Sequence, residues 1–501
     1  MKPQTLKKIR MCLGRIFFLL ITLMFLDFTG TLHHYLAWMA KIQFLPAVMA
    51  LNFGVVAVLI VLTLIFGRVY CSIICPLGVM QDIFFAVHIH KHKNSCTYSK
   101  AKNILRYSIL ALFIIAMILG ANSLVALLSP YSSYGRIAQN LLQPIYIGIN
   151  NILAFFAEKM NSYAFYSKEV WIRSISTFVI ALLTFIIIGF LAARNGRTYC
   201  NTICPVGSVL GFLSRFSWLK INIDTNKCIK CNKCTKNCKA SCINGKENIV
   251  DYSRCVVCGD CMAECPKAAI NYSHHKKQAV RVQQNIENKQ DVDTSKRAFL
   301  FGAATMITTV ALAQEKKKVD GGIAVIEDKI APKRDVPIIP PGAKGLKVFY
   351  DRCTGCQLCV SKCPNNVLRP SNNIMHLMQP EMSYEKGACR VECTACSDVC
   401  PTGAIEKIAP EDKTSIQIGH AEWIKKNCVT QTDKVECGNC ARHCPAGAIM
   451  MVPQDANDED SIKIPAVNES RCIGCGMCEF VCPSRPYSAI FVQGHEDHKT
   501  I

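Results

Sequence analysis

Cys228, Cys231, Cys234 and Cys238 are followed by Cys255, Cys258, Cys261 and Cys265, and the second run closes on Pro266. Two C-x2-C-x2-C-x3-C runs in tandem are the ligand spacing of a pair of iron–sulfur cubanes. Three thiolates two residues apart wrap one corner of a cubane, and the fourth must arrive from elsewhere in the fold. In such a pair the last Cys of each run ligates the other cluster. Zinc sites use separated C-x2-C pairs instead of an unbroken run of four. One departure matters: Cys238 is followed by Lys239 rather than Pro, and Cys242 is a rival fourth ligand.

The same grouping organises most of the 31 cysteines. Four more quartets follow: Cys353, Cys356, Cys359, Cys363; Cys389, Cys393, Cys396, Cys400; Cys428, Cys437, Cys440, Cys444; and Cys472, Cys475, Cys478, Cys482. Each ends in Cys-Pro, at Pro364, Pro401, Pro445 and Pro483. The first and last have standard spacing, and the middle two are stretched ahead of their second Cys. A disulfide scaffold is the usual reading of many Cys in a short secreted chain, and these 501 residues are not short. Six quartets predict six [4Fe–4S] clusters, which hold small-cored modules together as metals do elsewhere. Cys12 and Cys96 read as spare thiols. The formal charge of +21 would suit nucleic acid. That count omits the cluster thiolates, however, and much of the excess flanks apolar runs. Membrane lipid is therefore the expected partner, with no nucleic acid.

Four apolar runs, Ile16 to about Leu32, Pro46–Phe66, Ile104–Leu128 and Trp171–Ala193, approach or reach the ~20 residues of a membrane-crossing helix. Basic residues collect at positions 1–10 (Lys2, Lys7, Lys8, Arg10), between Arg68 and Arg106, and at Arg194, Arg197, Arg215 and Lys220. By the positive-inside rule both ends of the unit face the cytoplasm. Gly135–Asn161 is apolar but broken by Gln143, Pro144, Asn150 and Asn151, and reads as an interfacial helix on the outer side. His88, His90 and His92, interleaved with Lys91 and Lys93, read as a solvated basic loop.

The unit repeats internally. Gly67-Arg68-Val69-Tyr70-Cys71, with Cys75-Pro76-Leu77-Gly78, returns as Gly196-Arg197-Thr198-Tyr199-Cys200, with Cys204-Pro205-Val206-Gly207. It therefore reads as two helical hairpins related by duplication. Cys pairs at i, i+4 share one helical face, and the adjacent Arg68 and Arg197 favour the thiolate. Three functional readings stand: a redox dithiol, a soft-metal site for copper or iron, or a further cluster shared by Cys71, Cys75, Cys200 and Cys204. The plain alternative is a duplicated corner with inert thiols.

Six segments result. Residues 1–220 form a four-helix transmembrane domain, 221–272 a cytoplasmic two-cluster module and 273–294 a charged linker. Residues 295–315 form a fifth helix, 316–345 a second linker and 346–501 a periplasmic four-cluster module. Ser295-Lys296-Arg297-Ala298-Phe299-Leu300 opens a weakly hydrophobic stretch that is similar to a twin-arginine export signal. Ala311-x-Ala313 also matches a cleavage pattern. The fold class is thus membrane α-helical, a four-helix bundle plus one further helix, with α+β ferredoxin-like iron–sulfur modules. His495 and His498 read as part of a disordered polar end.

With these motifs, residues 1–270 resemble the NapH family of membrane ferredoxins, and residues 295–501 resemble the NapG family. The whole resembles a NapH–NapG fusion. The resemblance implies a quinol dehydrogenase component of a bacterial inner membrane. It would draw on the quinone pool and feed a periplasmic reductase or cytochrome c in anaerobic respiration, with nitrate reductase the typical acceptor. The same C-x3-C-P frame occurs in accessory proteins of nitrous-oxide reductase and in copper-reducing oxidase-assembly proteins. An assembly role for a copper enzyme is therefore the alternative, with a docking subunit holding structural clusters as a third. Quinol oxidation needs a proton acceptor: Asp27 lies inside the first run, and His33 and His34 follow it. Four-cluster subunits, by analogy, would pair the first quartet with the fourth and the second with the third.

Overall fold

The computed structural model describes residues 3–92, 96–162, 164–274, 327–455, 457–458 and 460–501. The twin-arginine-like helix 295–315, the Ala313 cleavage pattern, most of the 273–294 linker and residues 316–326 lie outside the described residues. So do the side chains of His34, His90 and His92.

Two of the four apolar runs form unbroken helices, and both are long and apolar enough to cross a membrane. The helix α1 (Pro3–Leu26) starts well before the first run and stops short of its end. The other unbroken helix lies in the fourth run. The second and third runs are each split in two. After the short turns α2 (His33–Leu36) and α3 (Trp38–Lys41), the second run divides into α4 (Phe44–Met49) and α5 (Phe53–Phe66). Leu51 sits at positive φ in the break, and Asn52 caps α5 by accepting from the Val55 N–H at 3.2 Å. The turn α6 (Tyr70–Ile73) and helix α7 (Pro76–His92) follow. The third run divides at Gly120, φ +72°, into α8 (Asn103–Ile118) and the buried α9 (Asn122–Leu128). At ~1.5 Å per residue, the 14 residues of α5 and 16 of α8 fall short of a ~30 Å hydrocarbon layer.

The expected interfacial helix begins earlier than Gly135 and is not amphipathic at its start. α10 (Pro130–Ile137), a π-helical turn (Ala138–Leu142) and α11 (Gln143–Lys159) run on without a break. Every residue of α10 is buried, because the four-cluster module covers it: a Cβ on Gly135 would lie 2.3 Å from the Cys356 carbonyl. Only from Ile145 onward does this helix present exposed Ile and Phe side chains.

α12 (Ile175–Asn195) is N-capped by Ser174 and ends at Gly196, φ +63°, just as α5 ends at Gly67, φ +75°. It packs on α7, and α13 (Thr198–Thr202) and α14 (Pro205–Leu213) repeat the α6–α7 corner. Apolar side chains stay exposed along α1, α5, α8 and α12, among them Leu19, Val58, Ile118 and Leu183.

Two iron–sulfur-type modules flank this helical unit. In the first, β1 (Leu219–Ile223) pairs antiparallel with β4 (Ile270–His274), joining Leu219 to His274 and Ile223 to Ile270. Between them lie α15 (Lys233–Lys236), the short pair β2 (Ile243–Asn244) and β3 (Ile249–Val250), and α16 (Asp260–Ala263). The second module carries α17 (Leu346–Arg352), α18 (Leu358–Lys362) and α19 (Ala395–Val399). Beyond these lie α20 (Val429–Thr432), α21 (Asn439–Arg442) and α22 (Met477–Val481). Its strands pair as β5 (Leu368–Pro370) with β6 (Pro380–Met382), β7 (Ile416–Trp423) with β10 (Ile490–Thr500), and β8 (Ile449–Pro453) with β9 (Lys463–Val467).

Two boundaries move. The described part of the second linker belongs to the module: Ile338 and Ile339 are buried, and the Ile338 carbonyl accepts from the Met382 N–H at 2.8 Å. The C-terminal histidines are ordered as well. His495 and His498 lie in β10, and the His495 ring stands 5.1 Å from that of His420 on β7. Period-2 burial from Ile490 to Gly494 earned that strand a partner despite its polar end.

Candidate iron–sulfur relay

Each cluster-ligand group is built from a loop of three cysteines and a fourth delivered by a neighbouring loop. Cys228, Cys231, Cys234 and Cys265 line one hollow. Cys238 lies with Cys255, Cys258 and Cys261. The rival Cys242 stands 3.5 Å from Cys238, sulfur to sulfur. Hydrogen bonding from Cys242, with the backbone N–H groups of Ala240, Cys242 and Ile243, pulls the Cys238 thiol down, whereas Cys242 is pushed up. Cys242 also hydrogen-bonds with Cys255, so it borders the same cluster group.

The four-cluster module pairs its quartets differently from the first-with-fourth expectation. Cys353, Cys356 and Cys359 gather with Cys400. Cys363 in turn lies with Cys389, Cys393 and Cys396. Cys428, Cys437 and Cys440 share a hollow with Cys482, and Cys444 lines another with Cys472, Cys475 and Cys478. Neighbouring quartets therefore exchange last ligands, first with second and third with fourth. Adjacent α18–α19 and α21–α22 packing brings this about.

The sulfur environments fit a cluster. The last Cys of five groups accepts a backbone N–H a few residues on: Ala269 to Cys265 and Ala448 to Cys444 at 3.3 Å, Val367 to Cys363 and Ile405 to Cys400 at 3.4 Å, and Ala489 to Cys482 at 3.3 Å. Such N–H···S bonds tune cluster potentials. Burial pushes the free thiols up, to about 12 at Cys356 and Cys475 and about 11 at Cys440. Thiolates there need a bound cationic centre to be stable.

The duplicated corner decodes residue by residue. Gly67 and Gly196 end the preceding helices, Cys75 and Cys204 precede Pro at the first position of the next, and Cys204 Sγ accepts from the Gly207 N–H at 3.3 Å. Each Cys pair is therefore divided between two helices; it does not share one helical face. Gly78 and Gly207 have no room for a side chain, since a Cβ would lie 2.3 Å from the Cys71 carbonyl and 2.2 Å from that of Cys200. The two halves interlock through arginine. Arg68 donates to the Cys200 carbonyl at 3.1 Å and approaches Cys71 Sγ at 3.8 Å, while Arg197 donates to the Cys71 carbonyl at 2.7 Å and approaches Cys200 Sγ at 4.0 Å. Arg68, Arg106 and Arg197, read in the sequence as loop charge, are fully buried. Among the described residues, no three His, Cys, Asp or Glu side chains converge as a single metal ion would require.

Sequence reasoning missed Asp82, the hub of the junction between the helical unit and the two-cluster module. It pairs with Arg197 at 2.7 Å, Lys239 at 2.9 Å and Arg10 at 3.1 Å. Burial opposes its charge, yet these cations hold the carboxyl well below the usual range. Lys239, the residue that replaces Pro, thus docks the two-cluster module on the helical unit. Its carbonyl accepts from the Arg197 N–H at 2.8 Å.

Asp27 lies just beyond α1 and docks the opposite module. It accepts from the N–H groups of Thr29, Gly30 and Leu32, from Thr29 Oγ1, from His33 Nδ1 at 3.4 Å and from Lys362 Nζ at 2.8 Å. Lys362 ends α18, the helix that carries Cys359 and leads into Cys363. Burial opposes the charge, but these donors hold the carboxyl far below its usual range. A saturated carboxylate of this kind positions the cluster loop.

Comparison with known proteins agrees with this chemistry. A 4Fe-4S binding domain model matches residues 48–94 and 176–225, one C-x3-C-P pair in each segment. Two 4Fe-4S dicluster domain models match 352–405 and 435–485, the same grouping of quartets that the structure makes. The methylamine utilization ferredoxin-type protein MauM of Methylophilus methylotrophus is 30% identical over 192 residues, 36% of this chain and 76% of that protein. The chain belongs to the ferredoxin-type protein family. The ferredoxin-type protein NapF of Escherichia coli is 27% identical over 158 residues, 32% of this chain and 87% of NapF. MauN of Methylobacillus flagellatus is 24% identical over 174 residues, 34% of the chain and 48% of MauN. No solved structure matches. This ferredoxin-type protein is an iron–sulfur electron-transfer protein.

Proposed function

We propose that the chain is a membrane-bound, six-cluster quinol dehydrogenase component of the NapH–NapG kind, passing electrons to a reductase across the membrane. The observation that carries the reading is the docking at the two ends of α1. Lys7 pairs with Asp260 of the two-cluster module at 3.5 Å, and Asp27 pairs with Lys362 of the four-cluster module at 2.8 Å. Twenty residues of helix separate these contacts, a rise of ~30 Å, which is the thickness of the hydrocarbon layer. α12 repeats the arrangement in reverse. Ser174, at its start, donates to Asn372 of the four-cluster module, and Arg197, beyond its end, meets Lys239. The exposed apolar residues along the same helices supply a surface for lipid.

The clusters supply one-electron chemistry when bound. The chain's own residues hold them at fixed places: Asp27, Lys362, Asp82 and Lys239 lock each module to the helices, and Cys255, Cys258 and Cys261, like Cys356 and Cys359, are buried. Each quinol oxidised yields two electrons and two protons, and the electrons leave singly. The acceptor is a reductase of the nitrate-reductase type.

The test uses full-length protein in detergent, kept anaerobic. A reduced menaquinol analogue is added, and reduced-cluster signals are followed by electron paramagnetic resonance. Rapid appearance of those signals supports the proposal. Clusters that dithionite reduces but quinol leaves oxidised would overturn it.

A further inference from the structure

Four cysteines outside the six quartets lie between the two modules. Cys71, Cys75, Cys200 and Cys204 are each no more than 5% exposed. Cys204 has the other three as close neighbours, and Cys75 has Cys71 and Cys200. Every sulfur is met by a donor: Arg68 Nη2 at Cys71, the Gly78 N–H at Cys75, Gln81 Nε2 at Cys200 at 3.2 Å and the Gly207 N–H at Cys204. Neutral thiols have little need of four inward-facing donors, whereas thiolates do.

The charge balance points the same way. Arg68 is fully buried and hydrogen-bonds to Asn201 Oδ1 and to the carbonyls of Ser253 and Cys200. Among the described residues it forms no ion pair with a carboxylate, and its Nε and Arg197 Nη2 are buried without a partner. A buried cation of this kind calls for a buried anion, and a thiolate-ligated iron–sulfur cluster is one. We propose that Cys71, Cys75, Cys200 and Cys204 bind a seventh iron–sulfur cluster, shared by the duplicated halves, with Arg68 and Arg197 as its counter-cations.

The site lies between the terminal groups of the two modules. On one side Arg68 Nη1 donates to the Ser253 carbonyl, two residues before Cys255, at 3.1 Å. On the other side Tyr131, its hydroxyl buried without a partner, has Tyr70 as one neighbour and Cys356 and Cys400 as others. A cluster at this position divides the separation between inner and outer modules into two shorter ones. It deepens the relay reading above without requiring that quinol be the donor.

The experiment counts iron and acid-labile sulfide in the full-length protein, as isolated anaerobically, and records Mössbauer spectra after dithionite reduction. The expected result is iron beyond the ~24 atoms of six cubanes, with the excess lost in the Cys71→Ser/Cys204→Ser variant and the six-cluster spectrum unchanged. Iron equal to six cubanes in the unaltered chain overturns the site, whether or not the variant folds. Arg68→Gln keeps every ligand and is expected to lower the midpoint potential of one signal alone. If no signal moves, or all of them do, the counter-cation role falls. Dithionite as reductant keeps these outcomes separate from any failure of quinol oxidation.

Discussion

Replacing Asp82 with Asn keeps the shape of the side chain and removes the charge that three cations share. Arg197, Lys239 and Arg10 then lose partners at 2.7, 2.9 and 3.1 Å, and among the described residues Lys239 alone retains another carboxylate, Asp260 at 3.3 Å. Arg197 is wholly buried, with Arg10 and Lys239 less than 9% exposed. Breaking a buried pair from one side costs ~3–5 kcal/mol, chiefly through the uncompensated charge left behind. Asp82→Asn is therefore expected to destabilise the protein by about that much, and Lys239→Met by less, since it leaves Asp82 two cations. The effect should persist in high salt, because buried pairs are little screened. The assay is urea unfolding in detergent followed by cluster absorbance, with hydrogen exchange over residues 236–242. A loss under ~1 kcal/mol, the range of an exposed pair, would refute the assignment of Asp82 as the buried hub. So would exchange at 236–242 that does not rise.

Cys400→Ser is expected to remove the cluster group of Cys353, Cys356 and Cys359 and spare that of Cys389, Cys393 and Cys396, which spectra of the single variants Cys400→Ser and Cys363→Ser distinguish. Gly207→Ala forces a methyl to 2.2 Å from the Cys200 carbonyl and should cost ~1–3 kcal/mol by overpacking, measured by thermal unfolding in detergent. His498 is held down at about 4 by burial, from 6.5. Its folded value is the lower one, so the unfolded chain binds the proton first. Stability is complete above pH ~6.5 and falls as pH drops toward 4, and His498→Gln should flatten that slope in unfolding curves.

Iron–sulfur chemistry was legible because ligand spacing is local: three thiolates two residues apart are fixed by the loop that carries them. The pairing of quartets was not, because the fourth ligand arrives through α18–α19 and α21–α22 packing, which no spacing encodes. The breaks at Leu51-Asn52 and at Gly120 had signals, an N-capping Asn and a Gly, that mean hydropathy over a long run averages away. Lys239 looked like a defect in a motif and is explained only by Asp82, 157 residues distant. Buried Arg68, Arg106 and Arg197 were counted as loop charge because composition cannot tell a solvated guanidinium from one roofed by carbonyls.

α1 is fastened at both ends, Lys7 to one module and Asp27 to the other. A helix held in this way acts as a fixed gauge and cannot lean freely to suit its surroundings. In the bilayer that the proposal calls for, tilting is the usual answer to a thickness mismatch, and here tilting would pull one cluster module off its seat. The lipid would have to deform in its place. Inserting a single residue into α1 would lengthen the gauge by ~1.5 Å and rotate its ends by ~100°, so that Asp27 and Lys7 could no longer both face their partners.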